Sequence, residues 1–104
     1  APAGYRRWEF EETQPISTYL FAVCAGAYAR FDDKTDSGIP LAIYCRQALA
    51  KYMDADNLFK LTKQGLAFYA EFFDCPYPFS KYDQLFVPEF NEGAMENPGA
   101  ITFT

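Results

Sequence analysis

The segment Asp54–Phe73 reads DADNLFKLTKQGLAFYAEFF, and its apolar residues recur at steps of three and four. This spacing predicts an amphipathic helix. Asp54 and Asp56 suit its N-terminus, where carboxylates cap free N–H groups, and Cys75-Pro76 ends it, because a residue before proline avoids helical geometry. The apolar face consists of one row, Leu58, Leu61, Phe68 and Phe72, and a second row, Leu66, Tyr69 and Phe73. We expect these aromatic rings to be core residues and Gly65 to permit close packing against a sheet.

Upstream of this helix the pattern changes to that of strands. Ile16–Ala29 is almost entirely apolar and rich in β-branched and aromatic residues, which predicts a long strand covered on both faces. A polar turn at Asp32–Gly38 separates it from Ile39–Arg46, whose alternation predicts a second strand. The two strands together predict a β-hairpin. Trp8–Glu12 predicts a further short strand.

Two short strands are expected after the helix, at Asp83–Val87 and from Ile101 to the last residue. A hairpin, one long helix and short strands predict an α+β fold. The period changes near residues 47–54, so we predict a domain boundary there, with residues 1–49 and 50–104 on its two sides. The chain lacks an initial Met and stops in mid-strand, which predicts an excerpt from a longer protein.

Composition excludes several classes of function. The chain has 104 residues, a net charge of −5 and only 9 scattered Lys and Arg residues, so we expect no nucleic-acid partner. It has no apolar run of about 18 residues, so we expect no membrane span, and its start lacks the apolar stretch of a signal peptide. Aromatic residues make up 19% of the chain. Because this is rich for so small an interior, we expect some rings to contact neighbours or to cause self-association.

The cysteines and the missing histidine bear on metal binding. The cysteines, Cys24, Cys45 and Cys75, are widely spaced and odd in number, which argues against a disulfide framework. We expect three reduced, largely buried thiols in a cytoplasmic protein. Because the chain has no His and no closely spaced pair of Cys, we expect it to bind no metal.

The motif Gly93-Ala94-Met95-Glu96-Asn97 carries the candidate chemistry. A peptide's free α-amino group has a pKa of about 7.7–8.0 and is largely cationic at neutral pH. Glu96 offers a carboxylate to receive it. Gly93 and Ala94 lack bulk, so a peptide backbone can approach and, if their strand is a sheet edge, pair with it. The alternative is that Glu96 is a surface acid beside a turn at Asn97-Pro98-Gly99. We expect the nearby acids, Glu89 and Glu92, to be solvated or structural.

The motif and its flanks, Lys81–Phe90 and Pro98–Phe103, resemble the aminopeptidase N family of zinc peptidases, most closely its actinobacterial type. Residues Ile16–Val23 and Pro40–Tyr44 resemble the last strands of that family's N-terminal β-domain. The resemblance implies that residues 50–104 begin a thermolysin-like catalytic domain. It also implies that the enzyme hydrolyses the N-terminal residue of peptides. Within the motif, it implies that Glu96 binds the amine and Gly93 and Ala94 the peptide backbone, while Met95 and Asn97 shape and orient the loop.

The resemblance also implies parts that this chain does not supply. The family binds zinc through H-E-x-x-H and a more distant Glu, and this sequence contains no His. We therefore expect no catalytic residue and no zinc here, and no activity from the chain alone. Its expected partners are peptides with a free N-terminus and the remainder of the parent chain. Two alternatives are a metal-free family member acting as a scaffold or interaction protein, and a stand-alone β-rich binding module. The sequence following Thr104 would separate them.

Overall fold

A computed structural model describes residues 1–104 as one five-stranded β-sheet and one long helix. The fold is therefore α+β, as predicted. The strands are β1 (Tyr28–Lys34), β2 (Pro40–Arg46), β3 (Tyr82–Phe86), β4 (Ala94–Met95) and β5 (Ala100–Phe103). The helix α1 spans Ala55–Phe72, and two short 3-10 helices cover Thr18–Leu20 and Gln47–Tyr52.

The strands lie in the order β1-β2-β3-β5-β4. β1 and β2 form an antiparallel hairpin, closed by a turn in which the Thr35 N–H donates to the Ile39 carbonyl oxygen at 3.0 Å. β2, β3 and β5 are mutually parallel, and β4 returns antiparallel to β5 at the edge. Parallel neighbours need a long crossover connection, and α1 lies in the one that joins β2 to β3.

The core lies between α1 and one face of the sheet. Its buried residues are Leu41 and Ile43 of β2 and Phe59 of α1, with Leu58 and Leu66 packed against them. A polar contact adds to this packing. Gln84 of β3 donates to the Thr62 hydroxyl at 2.8 Å, and that hydroxyl donates to the Leu58 carbonyl oxygen at 2.8 Å. These contacts join the helix to the parallel centre of the sheet.

The helix bounds are confirmed within one residue at each end, but its packing differs from the prediction. Phe59 is the only buried residue of α1, and the core reaches along the helix only as far as Leu66. Beyond that point the rings are 57–68% exposed, so the expectation that they form a core is wrong: Phe68, Tyr69, Phe72 and Phe73. Gly65 was expected to pack closely, yet nothing lies within 4 Å of the position a Cβ would take. Asp54 makes no side-chain cap hydrogen bond.

The first predicted strands are also corrected. Ile16–Ala29 contains one 3-10 turn and no strand before Tyr28, and Trp8–Glu12 is not a strand. The segment is not covered on both faces, since Tyr19, Phe21 and Val23 are 66–78% exposed. The physical reason is that β-propensity reflects packing against neighbouring strands, and no strand lies beside this segment.

The first strand of the hairpin instead overlaps the predicted polar turn. Asp32 and Asp33 belong to β1, which lies at the edge of the sheet. Charged side chains are common on edge strands because one face and one edge remain in water. The later strands agree with the prediction: Tyr82–Phe86 for Asp83–Val87, and Ala100–Phe103 for the strand expected from Ile101.

All three cysteines are free, but only Cys45 is buried, near the end of β2. Cys24 and Cys75 are exposed, so the expectation of largely buried thiols is wrong for these two. Cys24 lies in the N-terminal segment that has no strand beside it, and Cys75 follows the exposed end of α1. Burial thus follows contact with the sheet.

The sheet combines strands from both sides of the predicted boundary between residues 49 and 50, because β2 pairs directly with β3. The division into two domains at that point stays a prediction. No helix of the structure has both the length and the apolar character needed to span a bilayer.

Candidate functional site

The predicted site residues lie in a hairpin at one edge of the sheet. Ala94 pairs with Phe103 and Met95 with Thr102, and the Thr104 N–H donates to the Gly93 carbonyl oxygen at 3.1 Å. Because β4 is the last strand of the sheet, its outer side has no neighbouring strand. The structure thus gives Ala94, which directly follows Gly93, the sheet-edge position that backbone pairing with a peptide requires.

The direction of the backbone groups at this edge follows from the ladder. In an antiparallel pair, hydrogen-bonded and non-hydrogen-bonded residue pairs alternate. The bond between Thr104 and Gly93 points the backbone groups of Gly93 towards β5. The N–H and C=O of Ala94 therefore point outwards, to the free edge. One donor and one acceptor are available there, beside two small exposed residues.

The far end of the hairpin is a tight turn over Asn97-Pro98-Gly99-Ala100. The Ala100 N–H donates to the Asn97 carbonyl oxygen at 2.9 Å, and Gly99 has φ +72°. Proline at the second position and a positive-φ glycine at the third are features of a type II turn. The Asn97 side chain is 5% exposed and its amide donates to the Ala100 carbonyl oxygen at 3.4 Å. The turn predicted at this point is confirmed.

Glu96 lies between the edge strand and this turn. Its side chain is exposed, and it takes part in none of the four ion pairs of the structure. Met95 before it is half-buried, opposite Thr102, whose hydroxyl is buried without a hydrogen-bond partner. The motif therefore presents one unpaired carboxylate on a backbone held at both ends.

Two pairs of charged side chains elsewhere on or beside the sheet bind each other. Arg30 binds Asp32 at 2.7 Å, and Lys81 binds Asp83. Glu89 and Glu92, which precede the motif, are exposed, as expected for solvated acids. At this edge of the sheet, the Glu96 carboxylate thus lies beside outward-facing backbone groups and a fixed turn.

The residues that support the turn were not predicted from the sequence. Gly99 lies against the carbonyl oxygen of Lys81, which accepts a hydrogen bond from the Tyr77 hydroxyl at 2.9 Å. Burial raises the pKa of Tyr77 to about 12, so the hydroxyl stays protonated and able to donate. These residues are too far from Gly99 in sequence for a local pattern to connect them.

The residues present do not fit a zinc site. The chain has no His, and no group of three or more Cys, Asp or Glu side chains is placed to hold a metal ion. Zinc sites in proteins use three or four such ligands. We therefore derive no metal-dependent step from this chain.

Comparison with known proteins gives the same family as the motif. The peptidase family M1 domain matches residues 57–104. Aminopeptidase N of Streptomyces lividans is 53% identical over 98 residues, which cover 91% of this chain and 11% of that protein. Aminopeptidase N of Canis lupus familiaris is 35% identical over 95 residues, 91% of this chain and 10% of that protein. Aminopeptidase M1 of Arabidopsis thaliana is 33% identical over 94 residues, with coverages of 90% and 10%.

The chain spans about a tenth of the length of these relatives. The similarity nevertheless extends over nine-tenths of the chain, far beyond the five motif residues, and is strongest with the bacterial relative among the three. These matches support the aminopeptidase N family of M1 peptidases, in its actinobacterial type, as the family of this chain.

Proposed function

We propose that this chain supplies the part of a zinc aminopeptidase that recognises the free amino terminus of a peptide. The observation that carries the proposal is the unpaired, exposed carboxylate of Glu96 at the end of the edge strand β4. The relatives reported above are aminopeptidases by name. The enzyme as a whole would remove N-terminal residues from peptides.

The electrostatic argument rests on complementary charge. A substrate α-amine is largely cationic at neutral pH, and Glu96 has no ion-pair partner within this chain that would neutralise it. A charge-assisted hydrogen bond between the two contributes about 1.5–3 kcal/mol. A peptide with an acetylated terminus has no positive charge and keeps only one N–H, so it cannot form this hydrogen bond between two charged groups.

The backbone argument rests on the free edge of β4. The outward N–H and C=O of Ala94 can pair with a peptide added as a further strand. Gly93 and Ala94 present no bulky side chain that would block such an approach. With the amine held at Glu96 and the backbone at Ala94, the first peptide bond is placed at a fixed distance from the recognition point. This geometry favours removal of one residue at a time.

Zinc and the catalytic residues are proposed to lie in the remainder of a longer enzyme. The residues of this chain do not fit a metal site, and it spans about a tenth of its relatives. We propose, accordingly, that the 104-residue chain alone binds no zinc and does not hydrolyse peptides. Met95 and Asn97 shape the loop in this proposal and take no part in the chemistry.

The test uses the full-length enzyme with Glu96→Gln and Glu96→Ala. The first variant keeps the shape of the side chain without its charge, and the second removes both. We expect kcat/KM for unblocked peptides to fall about 10- to 1,000-fold, or about 1.4–4 kcal/mol of transition-state stabilisation. Zinc content and melting temperature should not change, because Glu96 is exposed and makes no ion pair within this chain.

Glu92→Gln is the matched control, since Glu92 is an exposed acid of the same loop. It should leave kcat/KM unchanged. The decisive quantity is the ratio of kcat/KM for free over N-acetylated peptide. An equal ratio in wild type and both Glu96 variants would show that Glu96 does not recognise the amino terminus.

A further inference from the structure

Gly99 docks the turn that follows Glu96 onto the neighbouring strand. Its carbonyl oxygen accepts a hydrogen bond from the Asp83 N–H at 3.1 Å. A Cβ at this position would lie 3.4 Å from the carbonyl oxygen of Lys81 and 3.6 Å from its Cγ. The turn is thus held against the start of β3 by a backbone hydrogen bond, and Lys81 bounds the space beside the Gly99 Cα.

The carbonyl group of Lys81 is itself held in place. It accepts a hydrogen bond from the Tyr77 hydroxyl at 2.9 Å. The Tyr77 ring is half-buried and packs edge-on against Phe79 and Tyr82, each with a centroid separation of 5.5 Å. The Lys81 carbonyl oxygen is a backbone atom and is hydrogen-bonded to the hydroxyl of a packed ring. It therefore cannot rotate away from a Cβ introduced at position 99.

We propose that Tyr77 and Gly99 are positioning residues for Glu96, acting through this contact. The Tyr77 hydroxyl, the Lys81 carbonyl and Gly99 together form what we call the Gly99 brace. The brace fixes the turn whose first residue, Asn97, directly follows Glu96. The opposite end of the motif is fixed separately, by the bond from Thr104 to Gly93. This inference rests on the proposed role of Glu96 in binding the substrate amine.

Glycine is required here because φ is +72°, a region that residues with a Cβ rarely adopt. An alanine would escape the strain by rotating the peptide unit between Pro98 and residue 99, which gives a turn with negative φ. That rotation reverses the Pro98 carbonyl group and the N–H of residue 99, and so alters the turn that directly follows Glu96. The carboxylate then no longer meets the amine at the same point.

Gly99→Ala and Gly38→Ala form a matched pair for the test in the full-length enzyme. Gly38 has φ +93° in the turn between β1 and β2, and nothing lies within 4 Å of its Cβ position. Both variants therefore introduce the same kind of backbone strain, but only the first acts on the brace. We expect Gly99→Ala to lower the preference for free over N-acetylated peptide about 10-fold, less than the roughly 100-fold cost of a full 1 Å misplacement. Gly38→Ala should leave this preference unchanged.

Two further variants keep the result interpretable. Tyr77→Phe keeps the packed ring and removes only the hydroxyl, so it should lower the same preference by a smaller factor. If Gly99→Ala does not fold, Tyr77→Phe alone tests the brace. In a Glu96→Ala background, Gly99→Ala should cause no additional loss, since residues that act through one contact are not additive.

The possible outcomes separate the two proposals. If Glu96→Ala leaves the preference unchanged, the proposed function itself is wrong. If Glu96→Ala lowers it while Gly99→Ala and Tyr77→Phe behave like Gly38→Ala, the proposed function stands and the brace is overturned. An additional loss from Gly99→Ala in the Glu96→Ala background would likewise overturn the brace.

Discussion

Two segments with similar apolar alternation have opposite environments. In Ile39–Arg46, the residues Leu41, Ile43 and Cys45 are 0–2% exposed. In Ile16–Ala29, the equally alternating Tyr19, Phe21 and Val23 are 66–78% exposed. The first segment has β1 on one side, β3 on the other and α1 above it. The second has no neighbouring strand before Tyr28, so its apolar side chains stay exposed although its sequence resembles that of a buried strand.

The same contrast recurs within α1. Its N-terminal half places Leu58 and Phe59 on the sheet, whereas Phe72 near its end remains exposed. Helical period is present along the whole helix, but only the part up to Leu66 packs against the strands. Stability in this chain is therefore expected to depend on contact with the sheet and to be largely independent of apolar content.

The largest effect is expected from truncating one residue in each segment. Ile43→Ala should lower the free energy of unfolding by about 2–5 kcal/mol, because it leaves a cavity in the packed centre. Phe21→Ala removes a larger side chain but an exposed one, and should change it by no more than about 0.5 kcal/mol. Urea unfolding of the chain measures both. A loss for Phe21→Ala as large as for Ile43→Ala would contradict the comparison.

A smaller effect is expected from the exposed end of α1. Phe68 and Phe72 stack with a centroid separation of 5.6 Å and are both more than half exposed. Contiguous exposed apolar patches cause association, so we predict that the 104-residue chain self-associates through them. Light scattering at several concentrations should show association in wild type and less in Phe68→Lys with Phe72→Lys.

Gln64→Lys provides the control for that experiment. It adds a positive charge at an exposed polar position of the same helix without removing a ring. Association should persist in this variant. A monomeric wild-type chain at high concentration, or equal association in all three proteins, would contradict the prediction.

The smallest effect concerns ion pairs. Lys63 of α1 binds Asp33 of β1 at 2.7 Å, and this hydrogen bond is the main cause that lowers the pKa of the Asp33 carboxyl from its usual 3.8. A lowered folded-state pKa means that the stabilisation is fully present above the unfolded value and is lost as pH falls through the folded value. The melting-temperature difference between wild type and Lys63→Met should therefore be small at neutral pH and disappear in acid below the ordinary Asp pKa.

The N-terminal segment provides the comparison for this pair. Arg7 and Glu9 approach only to 3.9 Å and are both highly exposed. Arg7→Met should produce no such pH-dependent difference. If the Lys63→Met difference stays constant down to the lowest pH measured, the ion pair does not contribute in the way described.

Local signals predicted much of the fold and, within the candidate site, the turn after Glu96. The period of three and four located α1, the alternation located β2, and Pro98-Gly99 located the turn. Neighbours that are distant in sequence could not be predicted in this way. Apolar residues cover much of the surface of α1. Its pattern alone therefore could not predict that Phe59 faces the sheet while Phe68 is exposed. The edge position of β4 likewise depends on strand order, which no local pattern contains.

The support behind Glu96 was unpredictable for the same reason. The Tyr77 hydroxyl and the Lys81 carbonyl come close to Gly99 only after the chain has formed β3 and returned through β4. The motif itself was identifiable because its chemistry lies in consecutive residues. Its direction is set by tertiary contacts, and so becomes visible only in the folded chain.

The most direct test of the account is a crystal structure of the full-length enzyme with an uncleaved peptide analogue that carries a free α-amino group. The quantity to measure is the distance from the Glu96 carboxylate oxygens to the α-amino nitrogen. The account predicts a charge-assisted hydrogen bond of about 2.7–2.9 Å, with the peptide backbone paired to Ala94. An amine bound by other groups, with Glu96 beyond the hydrogen-bonding limit of about 3.5 Å, would contradict it.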